Sequence, residues 1–164
     1  LIAQIERADG GDVLYQGRSI LGDRLFLRSA LGYVPQSAEL ARELTVRQQL
    51  VLWQAACGLS GPLPAGIMEL MGLEPLLNQP IRALSGGLAQ RVSIALGLLA
   101  ERRVLLMDEA TSGLDQGYVP QLLDWLGGFV SGGGSLVWCS HHQSELDRLC
   151  GAVLRLEEGR CVHQ

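Results

Sequence analysis

The chain has 164 residues, enough for one globular domain with a hydrophobic core and too few for two well-formed ones. Hydrophobic residues make up 48% and charged residues 18%, which excludes an intrinsically disordered chain and favours an aliphatic core. The net charge of -4 provides no overall basic surface, so we expect no nucleic acid among the partners.

The cysteine spacing argues against a metal site or a disulfide framework, and the apolar runs argue against a membrane-spanning segment. Neither a C-x-x-C pair nor a His partner at zinc-finger spacing occurs, so we expect buried thiols in a reducing compartment, at Cys57, Cys139, Cys150 and Cys161. The richest apolar run, 92–100, is closed by the charged residues 101–103 and is shorter than the roughly 18 residues that a membrane span requires.

The N-terminal third contains two predicted strands. Positions 1–5 are typical of the end of a helix and do not begin with methionine, so we expect the chain to be a fragment of a longer protein. After a turn cluster at 8–12, residues 13–15 form a first short strand, which Gln16 and Gly17 close. Residues 31–34 form a second strand, where Pro35 ends the pairing.

Between positions 38 and 83 the spacing of the apolar residues becomes that of helices. Apolar residues recur at helical spacing in 46–56 and again in 67–72. The stretch 58–66, which is rich in glycine and proline, separates the two helices. This part of the chain is interpreted as a helical insertion.

Strands and helices alternate in the remaining half. A long helix begins after Ser85, which is placed to cap it, and 104–107 is a continuous apolar strand of the kind buried in a parallel sheet. A helix at 118–130, a strand at 135–139, a short helix and a final hairpin at 153–163 follow. The alternation predicts an α/β fold with a mostly parallel sheet.

Polar side chains follow three of the predicted strands, at the edge where parallel sheets bind ligands. They are Gln36, the pair Asp108 and Glu109, and His141. Two adjacent carboxylates at a strand end point in different directions, so one can hold hydrated magnesium while the other orients a water molecule. A purely structural alternative is that Asp108 caps the next helix, Glu109 is solvated and His141 is a capping or surface residue.

The start of the long helix offers a site for an anion. Ser85 supplies a hydroxyl, and Gly86 and Gly87 leave the backbone N–H groups free at the positive end of the helix dipole. A plain capped helix is the alternative interpretation. It explains Ser85 but not two glycines, each of which costs about 1 kcal/mol relative to alanine in a helix.

Together these segments resemble the ABC ATPase family. The chain matches five of its motifs in order: the Q-loop at 33–36, the signature at 84–91, Walker B at 104–111, the D-loop at 112–115 and the switch-histidine region at 140–142. The resemblance implies a P-loop NTPase (RecA-like) core made of 1–37 and 84–164, with a helical subdomain at 38–83.

The sequence departs from the family pattern in two places. Leu88 occupies the signature position where glutamine is common. The 164 residues also contain no G-x-x-x-x-G-K-[ST] segment, the Walker A loop that cradles phosphates. By the resemblance, that loop would lie a few residues before Leu1.

The resemblance implies ATP and Mg²⁺ as cofactors and gives each site residue a role. Asp108 and Gln36 would support the metal, Glu109 would act on the attacking water, and His141 would contact the γ-phosphate. Gln36 would also sense the nucleotide and relay its state to a membrane subunit.

Other motif residues face a second nucleotide-binding domain in the implied head-to-tail dimer. Ser85, Gly86 and Gly87 would contact the ATP bound to that partner, and Asp115 would lie at the interface.

We therefore expect the ATP-hydrolysing subunit of an ABC transporter, which couples hydrolysis to transport. It would be cytoplasmic and held at the inner face of the membrane by a permease. The alternatives are a soluble ABC ATPase and a non-catalytic ABC module that completes a partner's site. Without Walker A, the 164-residue chain alone is expected to be inactive.

Overall fold

The computed structural model describes residues 2, 3, 5 and 8–162. Of the predicted N-terminal helix remnant, Ile2 and Ala3 lie in a turn, whereas positions 1 and 4 fall outside the described residues. His163, which was included in the predicted C-terminal hairpin, also falls outside them.

Residues 14–30 form a small hairpin followed by a short helix. Strand β1 (Leu14–Tyr15) pairs antiparallel with β2 (Arg18–Ser19). The turn between them is made by Gln16 and Gly17, with φ of 51° and 77°, the positive values that tight hairpins require. Helix α1 (Arg24–Ala30) follows, a helix that the sequence pattern did not predict.

Three parallel strands form the central sheet. They are β3 (Leu31–Val34), β4 (Val104–Asp108) and β5 (Ser135–Cys139), in the order β3-β4-β5. Both pairings are parallel, which confirms the predicted α/β class. The central position of β4 explains why its sequence is a continuous apolar run.

Five further helices occur among the described residues. They are α2 (Val46–Ala56), α3 (Ala65–Leu70), α4 (Gly86–Leu99), α5 (Val119–Ser131) and α6 (Gln143–Leu149), with 3-10 turns at Glu74–Leu76 and Ile81–Ala83. A terminal hairpin joins β6 (Arg155–Glu157) to β7 (Arg160–Val162). Helix α3 starts two positions earlier than predicted, because Pro64 serves as its N-cap.

One face of the sheet packs against the main hydrophobic cluster, and on the other face Leu106 of the central strand is also buried. Val34, Met107 and Trp138 lie side by side in register and, because side chains alternate along a strand, share the first of these faces. All three are buried in one hydrophobic cluster together with residues of α4 and α5. On the opposite face Tyr33 is partly buried and Cys139 is exposed.

The helices of the 38–83 stretch contribute to the same hydrophobic cluster. Val46 and Leu50 from α2, and Met71 just after α3, are fully buried within it. Thr45 and Gln48 form a reciprocal capping box that fixes where α2 begins. The division into a core of 1–37 and 84–164 and a helical subdomain of 38–83 remains a prediction.

The expectation of buried cysteines was wrong, because none of the four is fully buried. All four thiols are free, but Cys139 and Cys161 are exposed, while Cys57 and Cys150 are partly buried. Cys139 is exposed because it lies on the less covered face of the sheet, and Cys161 because it lies in the terminal hairpin. Within the described ranges, no helix is long and apolar enough to cross a membrane.

Candidate functional site

The carboxyl ends of the three parallel strands meet at one edge of the sheet. Val34 pairs with Met107, and Asp108 pairs with Cys139, so the segments that follow the strands emerge together. The structure therefore brings the four strand-end residues of the sequence analysis to the same edge: Gln36, which is exposed, and Asp108, Glu109 and His141.

Glu109 has a backbone conformation that few glutamates adopt. Its φ is 48°, in the left-handed region, where a non-glycine residue costs about 1–2 kcal/mol. Hydrogen bonds hold this turn in place, because the Glu109 N–H donates to the Cys139 carbonyl at 2.9 Å and its carbonyl accepts from the Ser112 N–H at 2.9 Å. The strained residue is thus tied to the end of β5.

The Glu109 side chain is directed at His141. Its Oε2 atom lies 2.8 Å from His141 Nδ1, and the Glu109 side chain is 20% exposed whereas that of His141 is 66% exposed. The two atoms are close enough to hydrogen-bond but are not aligned as a hydrogen bond, so Oε2 is buried without a regular donor among the described residues. Glu109 is therefore not a freely solvated surface carboxylate.

The capping roles considered for Asp108 and His141 do not agree with the structure, whereas the exposed position considered for His141 does. Helix α5 begins after Tyr118, and α6 begins after His142, so neither Asp108 nor His141 is an N-cap residue. The His141 ring instead lies against the His142 ring, with centroids 4.1 Å apart. His141 is exposed, and its position beside Glu109 distinguishes it from an ordinary surface histidine.

Asp108 adds negative charge to the same edge. Cys139 is exposed as a residue, but neighbouring atoms partly desolvate its thiol, which raises the pKa of that thiol, and the charges of Asp108 and Glu109 raise it further. Burial likewise raises the pKa of the Tyr33 hydroxyl, with Asp108 as the next contribution. A cation bound at this edge would offset that charge.

The start of α4 forms a second group of predicted site residues. The Ser85 hydroxyl accepts a hydrogen bond from the Leu88 N–H at 3.3 Å, which confirms its capping role. A Cβ built on Gly87 would lie 2.8 Å from the Gly113 carbonyl oxygen and 3.5 Å from Asp115 Oδ1. Only glycine permits this contact between the helix and the loop that carries Asp115.

Two buried polar residues that the sequence analysis did not single out connect these groups. Gln90 of α4 donates through Nε2 to the Ala110 carbonyl at 3.1 Å. Glu145 of α6 accepts from the Thr111 hydroxyl at 3.1 Å and from the Ser140 hydroxyl at 2.7 Å. A glutamine in the interior of an apolar helix could have identified Gln90, whereas Glu145 occupies an ordinary position in the first turn of a short helix.

The donor set at the edge fits magnesium bound together with phosphate. In the part of the chain that the structure describes, no group of three His, Cys, Asp or Glu side chains is arranged to hold a metal ion by itself. Magnesium is usually held by one or two carboxylates plus phosphate oxygens, so the Asp108 carboxylate and the Gln36 amide oxygen are suitable ligands.

Comparison with known proteins identifies relatives that are described as ATP-binding proteins. The family model described as "ABC transporter" matches residues 1–112. The chain is 36% identical to the molybdenum import ATP-binding protein ModC of Rhodobacter capsulatus, over 97% of this chain and 45% of that protein. It is 31% identical to the Nod factor export ATP-binding protein I of Ralstonia nicotianae, over 95% of this chain and 50% of that protein.

Solved structures show the same fold. A structure described as the ATP binding subunit of an ABC transporter superposes with a TM-score of 0.83 at 26% identity, over 93% of this chain and 65% of that one. CbiO1 from Clostridium perfringens, described as part of the ABC transporter complex cbiONQ, gives a TM-score of 0.74 at 26% identity, over 99% of this chain and 68% of that one. The chain spans about half the length of the curated relatives that it matches.

Proposed function

Because this chain belongs to the ABC transporter family as an ATP-binding domain, we propose that it carries the hydrolytic residues of a transport-coupled ATPase. The observation that carries the proposal is the 2.8 Å approach of His141 Nδ1 to Glu109 Oε2, beside Asp108 at the carboxyl edge of the sheet. Catalysis of phosphoryl transfer depends mainly on positioning and charge stabilisation, and these three side chains supply both.

Each residue at the sheet edge has a distinct role in this proposal. When bound, ATP supplies the phosphoryl group, and Mg²⁺ supported by Asp108 and Gln36 neutralises charge on its oxygens. Glu109 orients the attacking water and accepts its hydrogen bond. His141 holds the Glu109 carboxylate from one side and contacts the γ-phosphate from its exposed side.

The start of α4 is proposed to bind the nucleotide of a second ABC domain packed head to tail. The first turn of a helix presents unpaired N–H groups and the positive end of the dipole, which favours phosphate. Ser85, Gly86 and Gly87 occupy this turn, and the space around the Gly86 Cα is open among the described residues. Asp115, beside Gly87, lies at the proposed dimer interface.

Coupling to transport is proposed to run through Gln36 to a membrane permease, with the domain at the cytoplasmic face. Gln36 is exposed and lies two residues after the end of β3, between that strand and the helical 38–83 stretch in the chain. Support comes from the relatives, which are described as an importer subunit, an exporter subunit and a part of a transporter complex.

The test uses the protein encoded by the complete reading frame that contains these residues, assayed for ATP binding and turnover. Glu109→Gln is expected to retain ATP binding and to lower turnover by about 100-fold or more, because it removes the group that orients water. Glu157→Gln, an exposed substitution in the terminal hairpin, is the matched control and should leave turnover unchanged. Equal turnover in the Glu109→Gln protein and the control would contradict the proposal.

The alternative function, a non-catalytic module that completes the site of a partner, is tested by comparing this chain with the complete protein. The 164 residues contain no G-x-x-x-x-G-K-[ST] loop, so we expect the isolated chain not to turn over ATP. ATP turnover by this chain that Glu109→Gln abolishes would overturn that expectation. If the complete protein also lacks turnover but stimulates a partner ATPase, the non-catalytic function is correct.

A further inference from the structure

Glu145 is a buried carboxylate that bridges two loops of the candidate site. The residue is 6% exposed, and its Oε2 atom accepts from the Thr111 hydroxyl at 3.1 Å and from the Ser140 hydroxyl at 2.7 Å. Thr111 is itself 7% exposed, so the interaction with that hydroxyl is sheltered from water. Burying a carboxylate is costly unless hydrogen bonds satisfy it, which means that these two hydroxyls stabilise Glu145 where it lies.

The two hydroxyls belong to the segments that carry Glu109 and His141. Thr111 lies two positions after Glu109, in the tight turn that follows β4. Ser140 immediately precedes His141, and its hydroxyl oxygen also accepts from the His142 N–H at 3.0 Å. The Ser140 hydroxyl therefore fixes the backbone on both sides of His141 while it donates to Glu145.

The turn after β4 is held from the opposite direction by Gln90. Its Nε2 donates to the Ala110 carbonyl at 3.1 Å, one residue before Thr111, and the side chain is buried. With Gln90 fixing the turn to α4 and Glu145 fixing it to α6, the backbone next to Glu109 has little freedom to move. Of these two side chains, Glu145 is the one that also bonds the His141 segment, where it adds to the backbone bond from the Glu109 N–H to the Cys139 carbonyl.

We propose that Glu145 is a positioning residue that sets the separation between the Glu109 carboxylate and the His141 imidazole. The proposal rests on the proposed function only for its consequence in catalysis. The geometric part holds for the chain by itself, because a single carboxylate oxygen bonds both loops at once. A shift of about 1 Å in a reacting group can lower a rate by about 100-fold, so this bridge matters for turnover.

The geometric part is tested by NMR on the chain with ¹⁵N-labelled histidine, at one fixed pH. Glu109→Gln is expected to shift the His141 ring nitrogen resonances in the otherwise unaltered chain, because the two side chains are 2.8 Å apart. In a Glu145→Ala background that shift should be clearly smaller, since the side-chain bridge is lost and only the backbone bond from the Glu109 N–H to the Cys139 carbonyl still joins the two segments. Glu145→Gln keeps an oxygen acceptor for the hydroxyls and should restore most of it.

Two controls separate positioning from general loosening. Asp147→Ala removes an exposed carboxylate from the same helix, and Leu50→Ala destabilises the fold from the distant helix α2. Both should keep the full His141 shift on Glu109→Gln. If Glu145→Ala does not fold, Thr111→Val and Ser140→Ala each remove one arm of the bridge, and each should weaken the shift.

The proposal is overturned if a folded Glu145→Ala chain keeps the full shift, if Thr111→Val and Ser140→Ala both keep it, or if the unaltered chain shows none.

In the complete protein, Glu145→Ala should lower kcat about 10- to 100-fold with KM nearly unchanged, and Glu145→Gln should recover most of the loss. If Glu145→Ala changes KM and kcat by the same factor, the positioning role is wrong. Failure of the proposed ATPase function would leave the NMR result intact, so the two failures are distinguishable.

Discussion

The Cα of Gly87 packs against the carbonyl oxygen of Gly113, so closely that a Cβ on Gly87 would lie 2.8 Å from that oxygen. Real Cβ atoms do not approach a backbone oxygen to this distance, and neither partner is a flexible side chain that could move aside. The start of α4 and the loop after β4 are therefore interlocked through their backbones. This contact places Asp115 beside the helix.

Gly87→Ala is expected to lower the free energy of unfolding by about 1–3 kcal/mol, because the added methyl group forces the two backbones apart. Chemical denaturation of the chain, monitored by circular dichroism, measures the loss.

Gly86→Ala is the matched control at the neighbouring position. No described atom lies within 4 Å of a Cβ at Gly86, so the substitution should be neutral or stabilising by up to about 1 kcal/mol. Equal effects of the two substitutions would contradict the interlocked contact.

Removing the amide of Gln90 should destabilise the turn after β4. Gln90→Met keeps the side-chain volume but deprives the buried Ala110 carbonyl of its donor, which is expected to cost about 1–3 kcal/mol in the free energy of unfolding. Gln121→Met, on the exposed side of α5, should change it by less than about 0.5 kcal/mol. A Gln90 variant as stable as the Gln121 variant would show that the hydrogen bond contributes nothing.

The reactivity of Cys139 reports on the charges at the sheet edge. Partial desolvation raises the pKa of this thiol, and Asp108 and Glu109 raise it further, so little of the reactive thiolate forms at neutral pH. Asp108→Asn or Glu109→Gln removes a negative charge, which lowers the pKa and should speed alkylation by iodoacetamide at neutral pH. The rate is measured by mass spectrometry of the peptide that contains Cys139.

The control for this experiment is Glu157→Gln, which removes a carboxylate from the exposed terminal hairpin. Its Cys139 alkylation rate should equal that of the unaltered chain. Rates that do not rise in either the Asp108 or the Glu109 variant would mean that these carboxylates lie farther from the thiol than the structure places them.

The sequence predicted those elements whose ends carry strong local signals. Strand β3 ends at Val34, just before Pro35, and α2 begins at Val46, just after the capping Thr45, and both match the predicted positions. Helix α1 was missed, since its only clear signal is the Asp23 cap, whose side chain accepts from the Phe26 N–H. Short helices of this kind depend on tertiary contacts more than on local pattern.

The same distinction applies to the site. The strand-end residues were predictable because parallel strands bring their carboxyl ends together. Glu145 was not, because its partner Thr111 is 34 residues away in sequence and only the folded chain brings the two together. Cys139 was misjudged for a related reason: its exposure depends on which face of the sheet the helices cover.

Helix α4 and strand β3 approach each other through two glycines, and this contact sets how closely α4 packs on the sheet. A Cβ on Gly97 would lie 2.4 Å from the Val34 side chain, and a Cβ on Gly32 would lie 2.7 Å from the Gly97 carbonyl oxygen. Gly97→Ala is therefore expected to lower the free energy of unfolding by about 1–3 kcal/mol, although alanine is the better helix former. Gly127→Ala, the same change inside α5, meets no described atom within 4 Å and should raise it by about 0.5–1 kcal/mol. Paired denaturation experiments should therefore show changes in the free energy of unfolding of opposite sign for the two substitutions. A stabilising Gly97→Ala would mean that α4 does not pack on β3 at this distance.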